Sequence, residues 1–553
     1  MSKFKWRSGF IATGITALAL GVAGPVSFAA ATPLPPVNPH HGPHQGPGPG
    51  NFPIPTPPVP SSGTGSSSGA ASCNNAPATP PLPPIFHFPG LPHANLPGMS
   101  SSGTASSGTS SSGTSSSGTA STHVLGNANL FVPPAQPCAL AQTRQLLRQG
   151  DVKDAKLITA MEMTPQAVWL TGGTPAQVET QVRTTMFEAA LQKSVPVFVA
   201  YDIPGRDCAQ YSAGGALTET AYDAWISAVA AGIGQGKAVV LLEPDSLGLL
   251  PSTCSASNYP FTDTERYAEL NYGVNVLEQD PQTSVYLDGT HSAWLGVGQI
   301  AQELVEAGVQ KAQGFFLNVS NYQPTPQLID YGTWISDCIA FANDPEQGGW
   351  RLGHYNYCAS QYYPATASNF STWSLSTAWY AANMGTAVAT THFVIDTSRN
   401  GQGPNDMSAY ANSPYNQPAS VVSSLASGNW CNPPGAGLGL APTTDTGVPL
   451  LDAYLWVKTP GQSDGQCDSA GGARAWDYND YTQPGWPTTS SGQAAFDPLW
   501  GMVDPAAGAW FPQQALQLVQ NASPALSTKG IPPMPMPGFG FGRGPLLRGS
   551  LRH

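Results

Sequence analysis

From about Pro133 onward, short and nearly unbroken apolar runs alternate with helix-sized amphipathic stretches. The clearest runs are VPVFVAYDIPGRD (Val195 to Asp207), AVVLLEPD (Ala238 to Asp245), SVYLD (Ser284 to Asp288), HFVID (His392 to Asp396) and YLWVKTPGQSD (Tyr454 to Asp464). Runs this rich in Val, Ile, Leu, Tyr and Phe, spaced by helix-length segments, predict parallel strands buried on both faces. Each run ends on an aspartate, and a carboxylate is costly to bury without a purpose. If the strands share one direction, Asp207, Asp245, Asp288, Asp396 and Asp464 gather at one rim. The carboxyl ends of barrel strands are where a TIM-like α/β enzyme keeps its chemistry.

Outside this region the patterning changes. Residues 1–31 carry Lys3, Lys5 and Arg7, then an apolar stretch and small residues up to Ala31, which predicts a secretory signal peptide too short in its apolar core to anchor in a membrane. Residues 32–126 are Pro, Gly, Ser and Thr, with repeats such as SSGTASSGT, and contain no Asp, Glu, Lys or Arg. Such a segment buries too little apolar surface to offset its ordering entropy and predicts a disordered linker. Six of the ten histidines fall inside it, so they read as solvated linker residues rather than metal ligands. Residues 127–526 form the expected catalytic domain, and residues 527–553 a flexible basic tail.

The net charge of −12 therefore belongs to the globular part, which disfavours nucleic acid and anionic membranes as partners and suits a neutral or cationic substrate. Eight cysteines in a secreted chain suggest disulfides. Cys208 and Cys254 follow two strand ends, Cys431 and Cys467 lie around another, and Cys338 and Cys358 bracket a shorter segment, with Cys73 and Cys138 left over. Sequence leaves the connectivity open. No CxxC spacing or Cys/His cluster points to a structural zinc.

Two nearby carboxylates, one protonated and one ionised, are the equipment for cleaving a glycosidic bond. Asp245 is the candidate acid, because burial at the end of an apolar strand and a charged neighbour, for which Asp207 is the candidate, both raise its pKa. Arg206 and Arg399 each stand close to a strand-end acid and would hold other carboxylates ionised, and Arg399 beside Asp396 gives that acid a structural role. Trp169, Trp294 and Trp430 offer flat rings to the apolar faces of sugars. A rival motif, Gly461 to Gly465, fits the G-x-S-x-G nucleophile elbow, but the sequence after it is not helical and the only later histidine is His553.

VAYDIPGRDCAQYSAGG (Val199 to Gly215) and VVLLEPDSL (Val239 to Leu247) resemble the two signature segments of glycoside hydrolase family 6, the inverting cellulases. YLDGTHSAWLG, FFLNVSNY, FVIDTSRNGQGP, WCNPPGAGLG and LWVKTPGQSDG are similar to further family segments in the same order. The resemblance implies a distorted, incomplete TIM-like (β/α) barrel. It implies Asp245 as general acid, Asp207 as its tuner and Tyr201 as the residue pressing on the distorted sugar. Asp464 matches the position of the base, acting directly or by relay through water. Arg206, Asp288, His291, Asn321 and Lys458 match sugar-binding or acid-organising positions, and Trp169, Trp294 and Trp430 match subsite platforms. Gln462 stands where the family commonly has glutamate, and Ala213 where relatives often hold a water-orienting serine, with Ser212 beside it. The family pairs Cys208 with Cys254 and Cys431 with Cys467.

The activity so implied is hydrolysis of cellulose or soluble β-1,4-glucan by a secreted monomer without metal or organic cofactor. A short segment after Asp207 favours endo action, while the long stretch from Gly465 to Pro505 is the mark of a tunnel-forming cellobiohydrolase. A non-catalytic carbohydrate-binding wall protein is the reading from another class.

Overall fold

A computed structural model describes residues 125–254, 259–345 and 349–531. The expected signal peptide, nearly all of the linker, Cys73 and most of the basic tail lie outside the described residues. Seven strands form one parallel sheet in simple sequential order: β1 (Val168–Leu170), β2 (Val197–Ala200), β3 (Ala238–Leu242), β4 (Thr283–Asp288), β5 (Gly314–Leu317), β6 (His392–Asp396) and β7 (Leu451–Leu455). Among the described residues β1 and β7 do not pair as strands. They are stitched instead by Ala167 N–H donating to Trp456 O (2.9 Å) and by the Trp169 indole donating to Val457 O (2.8 Å). The result is a curled, incomplete barrel.

The continuous apolar runs have a direct cause, since each strand is packed on two sides. Val197, Val199, Val239, Leu241, Tyr286, Phe316, Val394, Ala453 and Leu455 fill the interior. Their alternates Phe198, Ala200, Val240, Leu242, Val285, Leu287, Phe315, Leu317, Phe393 and Ile395 face the helical layer. Outside that layer, α1 (Pro137–Gln149) and α2 (Val152–Glu162) pack with Tyr322, Leu438 and Trp456 in a separate cluster, while the layer itself includes α3 (Pro175–Gln192), α4 (Glu219–Ile233), α5 (Asp263–Leu277), α6 (Val297–Glu306) and α7 (Thr325–Asn343). Starts are set locally: Thr174 with Gln177, and Thr262 with Glu265, form reciprocal capping boxes on α3 and α5. Beyond α7 come α8 (Ser374–Asn383), α9 (Ala419–Ser427), α10 (Ser490–Ala494) and α11 (Pro512–Gln520), the last packing Leu518 and Val519 among Ala155 and Ile158 of α2. No helix among the described residues is long and apolar enough to cross a membrane.

Two strands, β1 and β5, go beyond the five runs read from apolar patterning; β1 is only three residues long. Three of those runs also overshoot: β3 stops at Leu242, three residues before Asp245. β2 stops at Ala200, seven residues before Asp207, and β7 stops at Leu455, nine before Asp464. Pro204-Gly205 and Pro460-Gly461 break the strand conformation in those stretches. Only Asp288 and Asp396 close a strand themselves. Leu125, expected at the end of the linker, is 1% exposed and packs into the interior cluster.

Disulfides join Cys208 to Cys254, Cys431 to Cys467 and Cys338 to Cys358. The first two fix loops that carry Asp207 and Asp464, and the third staples α7 to the segment that follows it.

Candidate active site

The backbone at the carboxyl rim is strained in a pattern that points to function. Among the described residues eleven non-glycine positions have positive φ; seven of them, Asp207, Cys208, Glu243, Asp245, Thr290, Asn318 and Ser320, lie on the loops directly after β2 to β5, and an eighth, Asn432, lies between α9 and β7 against Asp464. Each costs roughly 1–2 kcal/mol and persists only where the surroundings over-determine it, which is typical of sites that must aim side chains.

Asp245, at φ 66°, follows β3 and is half-buried. Burial drives its carboxyl well above the usual range, and the charge of Asp288 adds to this, followed by that of Asp207. Lys458 opposes the rise and Asp464 adds a smaller push upward. The charged neighbour anticipated from sequence was Asp207; Asp288 acts more strongly. Asp288 is 3% exposed and receives Thr290 N–H (2.8 Å), and burial lifts it to about 6 against those backbone donors.

Asp207 is raised by burial too, but its Oδ2 accepts both the Ser212 N–H and the Ser212 hydroxyl, each at 2.7 Å, which hold it down in part together with Arg206. The Ser212 hydroxyl also lies 3.1 Å from Tyr201 Oη. Tyr201 is buried, meets Trp169 edge-on at 5.5 Å and lies under the Arg206 guanidinium at 4.7 Å. Burial first, then the charges of Asp245 and Asp207, keep its phenol protonated. Arg206 donates to Ser212 O (2.9 Å), Thr171 O (3.0 Å) and Tyr201 O, and stands 3.9 Å from Asp202. It therefore braces the loop rather than forming a tight carboxylate pair.

Asp464 is treated in the opposite way. Burial alone would raise its pKa, but Arg399 Nη1 at 2.8 Å and Lys458 Nζ at 3.1 Å, with Asn432 N–H at 2.9 Å, hold it down to about 2. Arg399 was expected beside Asp396; it pairs with Asp464 instead, stacks over Tyr322 at 4.5 Å and donates to Ser320 O. Asp396 accepts four backbone N–H groups, from Ser398 (2.8 Å) and from Val457, Lys458 and Ser320 (3.1 Å each), and so ties the rims of β5, β6 and β7 together.

The remaining expected residues spread around this centre. His291 and Trp294 form a tilted ring pair at 5.5 Å on the β4–α6 loop, with burial lowering His291 to about 4. The Trp294 ring lies directly on Gly248, three residues past Asp245, where any Cβ would collide with it. Trp430 lies beside Tyr211 at 5.8 Å, next to the Cys431–Cys467 disulfide. Asn321 shapes its own loop, with Oδ1 accepting Tyr322 N–H (3.0 Å) and Gln323 Nε2 (3.3 Å). Gln462 donates to Gln136 Oε1 (2.8 Å), just ahead of α1. Ser463 of the rival motif is buried and donates to the carbonyls of Pro505 and Gly465, with no histidine among its hydrogen-bond partners.

Three residues escaped the sequence reading. Asn432 bridges Asp464 to Ser463, Gly465 O and Asp504, and takes Gln514 Nε2 (3.0 Å) in return. Glu243, fully buried and lifted to about 8 by burial, accepts the N–H groups of Asp202 and Ile203 and so joins the β2 and β3 rims. Asp202, lifted to about 6 by burial, sits at the first turn past β2. The Asn in WCNPP and the Glu before Pro244 were visible signals for two of them.

Among the described residues no group of three or more His, Cys, Asp or Glu is arranged to hold a metal ion. What the rim holds together is a carboxyl pushed toward the protonated form and one held toward the ionised form, with aromatic rings nearby. Comparison with known proteins gives this arrangement a context. Residues 125–522 match the model of "Glycosyl hydrolases family 6". Endoglucanase A of Thermobispora bispora is 32% identical over 304 residues, covering 54% of this chain and 51% of the relative, so the chain spans about half of that protein's length. The "Probable 1,4-beta-D-glucan cellobiohydrolase C" of Aspergillus niger is 28% identical over 394 residues, 66% of this chain and 70% of the relative. The endoglucanase Cel6 from Mycobacterium tuberculosis, solved with a methyl-cellobiosyl-4-deoxy-4-thio-beta-D-cellobioside, is 30% identical, covers 72% of this chain and 99% of its own, and superposes with a TM-score of 0.49. With the family's model spanning the whole described barrel, this chain belongs to the glycosyl hydrolases family 6 and is a glycoside hydrolase.

Proposed function

We propose that the chain is a secreted β-1,4-glucanase that hydrolyses cellulose or a related β-glucan with inversion. The observation that carries this is the opposite treatment of two acids at one rim. Asp245 is pushed toward the protonated form by burial, Asp288 and Asp207, and Asp464 is held ionised near 2 by Arg399 and Lys458. Carboxyl groups separated in this way supply a proton for the leaving oxygen and a negative charge for the developing cation. A carboxylate held so low accepts a proton reluctantly, which favours relay through water over direct abstraction by Asp464. Tyr201, Trp169, Trp294 and Trp430 would bind the sugars, and acid, base and water suffice for the reaction.

Three disulfides support an oxidising compartment, and with it the leader at 1–31 and work outside the cell. Internal cutting is the first reading because the segment after Asp207 is short. One contact favours end-directed release: Tyr211 of that segment reaches the loop after Asp464, donating to Asp468 O (3.4 Å) and packing on Gly465 and Gly471.

The test is the first product. Proton NMR during digestion of a β-linked cello-oligosaccharide should show the α-anomer first, and a β-anomer overturns inversion. Carboxymethylcellulose viscosity should fall early, whereas soluble cellobiose as the main product selects the end-directed reading.

A further inference from the structure

The β5–β6 connection carries a feature that the reaction does not use. Between α7 and α8 the chain turns tightly at residues 360–363, closed by Ser360 N–H donating to Tyr363 O (2.7 Å), with the N–H groups of Tyr362 and Tyr363 donating to Ser360 Oγ (3.1 and 3.3 Å). The turn is fixed to the loop that holds His291 and Trp294. Fully buried Gln361 donates its amide to Ser292 O (3.1 Å) and Leu295 O (2.9 Å), and the Tyr362 hydroxyl donates to Trp294 O (2.8 Å). From behind, the hydroxyls of Ser376 and Tyr380 donate to Ser360 O (2.7 Å) and Ala359 O (2.8 Å), and Cys358 is tied to α7 through Cys338.

This well-braced turn ends in two rings facing solvent: Tyr363 is 74% exposed and Tyr362 40%. Rigid tyrosines give a large amphipathic contact area at small entropic cost. The surrounding surface narrows the choice of partner. From Leu352 to Ile395 the chain has no Asp, Glu, Lys or Arg and is rich in Ser, Thr, Asn and aromatic residues. Charged partners are recognised by complementary charge, which is missing here, while a neutral polymer asks for flat apolar faces and uncharged hydrogen-bonding groups.

We propose that Tyr362 and Tyr363 prolong the cleft beyond Trp294 as an additional sugar platform, which takes further glucosyl units of a β-1,4-glucan chain. The bond from the Tyr362 hydroxyl to the Trp294 carbonyl places the two tyrosines next to that part of the rim. The inference rests on the rim being a glucan cleft.

Steady-state kinetics on cellotriose to cellohexaose with the full chain tests it. Tyr363→Ala should lower kcat/KM on cellohexaose by about three- to tenfold, the contribution of one aromatic platform, with a loss that shrinks as the oligosaccharide shortens. Tyr363→Trp should restore the dependence on chain length. Val388→Ala, removing an apolar side chain of the same connection that is also 74% exposed, should change nothing. A loss independent of chain length, or no loss at any length in an otherwise active enzyme, overturns the platform alone. A wild type inert toward every cello-oligosaccharide and toward carboxymethylcellulose overturns the cleft reading beneath it.

Discussion

Replacing Asp288 with asparagine should move the alkaline limb of the pH–rate profile to lower pH. If Asp245 donates the proton, activity is lost as its carboxyl ionises, and anything that resists ionisation extends the active range upward. Asp288 titrates near 6, so above that value it is charged and is the strongest charged neighbour opposing loss of the Asp245 proton. A unit charge at ~6 Å is worth roughly 3 kcal/mol at an effective dielectric of about 20. That corresponds to about two pKa units, and because water reaches the half-buried Asp245 the expected displacement is about one unit. Asparagine keeps an acceptor for Thr290 N–H, so the fold should survive at a cost of about 1 kcal/mol. The assay is kcat/KM against pH on a soluble cello-oligosaccharide, which reports the free enzyme's groups. Asp207→Asn should shift the limb less, since its charge ranks below that of Asp288. An unmoved limb in Asp288→Asn, or one moved to higher pH, refutes the reasoning.

Two stability predictions follow from the same rim. Asp464 has a folded pKa of about 2, below its unfolded value of about 4, so its contribution is complete above pH ~4 and disappears as pH falls toward 2. Urea midpoints of wild type should therefore drop through that window by the equivalent of roughly 2–3 kcal/mol more than those of Asp464→Asn, and parallel curves would contradict the ion-pair account. Asp396→Asn keeps one acceptor oxygen but turns an amide N–H₂ against two of the four backbone donors and should cost about 2–4 kcal/mol in urea unfolding at neutral pH, whereas a change below about 0.5 kcal/mol would show that the carboxylate does not hold the three rims together.

Burial on both faces made β2, β3, β4, β6 and β7 legible in the sequence, because their apolar runs are nearly unbroken. β1 is too short to leave a periodic signal, and β5 sits in a run whose polar ending, Asn318 to Asn321, has no acid to mark it. The acids themselves were easy to find and hard to rank. Sequence order suggested that Asp207 tunes Asp245 and that Arg399 serves Asp396. Curling the sheet puts β4 beside β3 and β6 beside β7, so Asp288 comes nearest in effect to Asp245, and Arg399 reaches across to Asp464. Side-chain partnerships of this kind depend on strand neighbours and loop paths rather than on spacing along the chain. Asn432 was missed for the same reason. It contacts groups from Asp464 to Gln514, and nothing in its local sequence indicates how many it joins.

The most direct test of the central claim is hydrolysis of carboxymethylcellulose by Asp245→Asn, measured beside its affinity for cello-oligosaccharide. Asparagine preserves the shape of the side chain and removes only the proton to be donated. The account predicts that hydrolysis falls to background while oligosaccharide binding and the thermal midpoint stay near wild type. Retained turnover in a folded Asp245→Asn protein would contradict it.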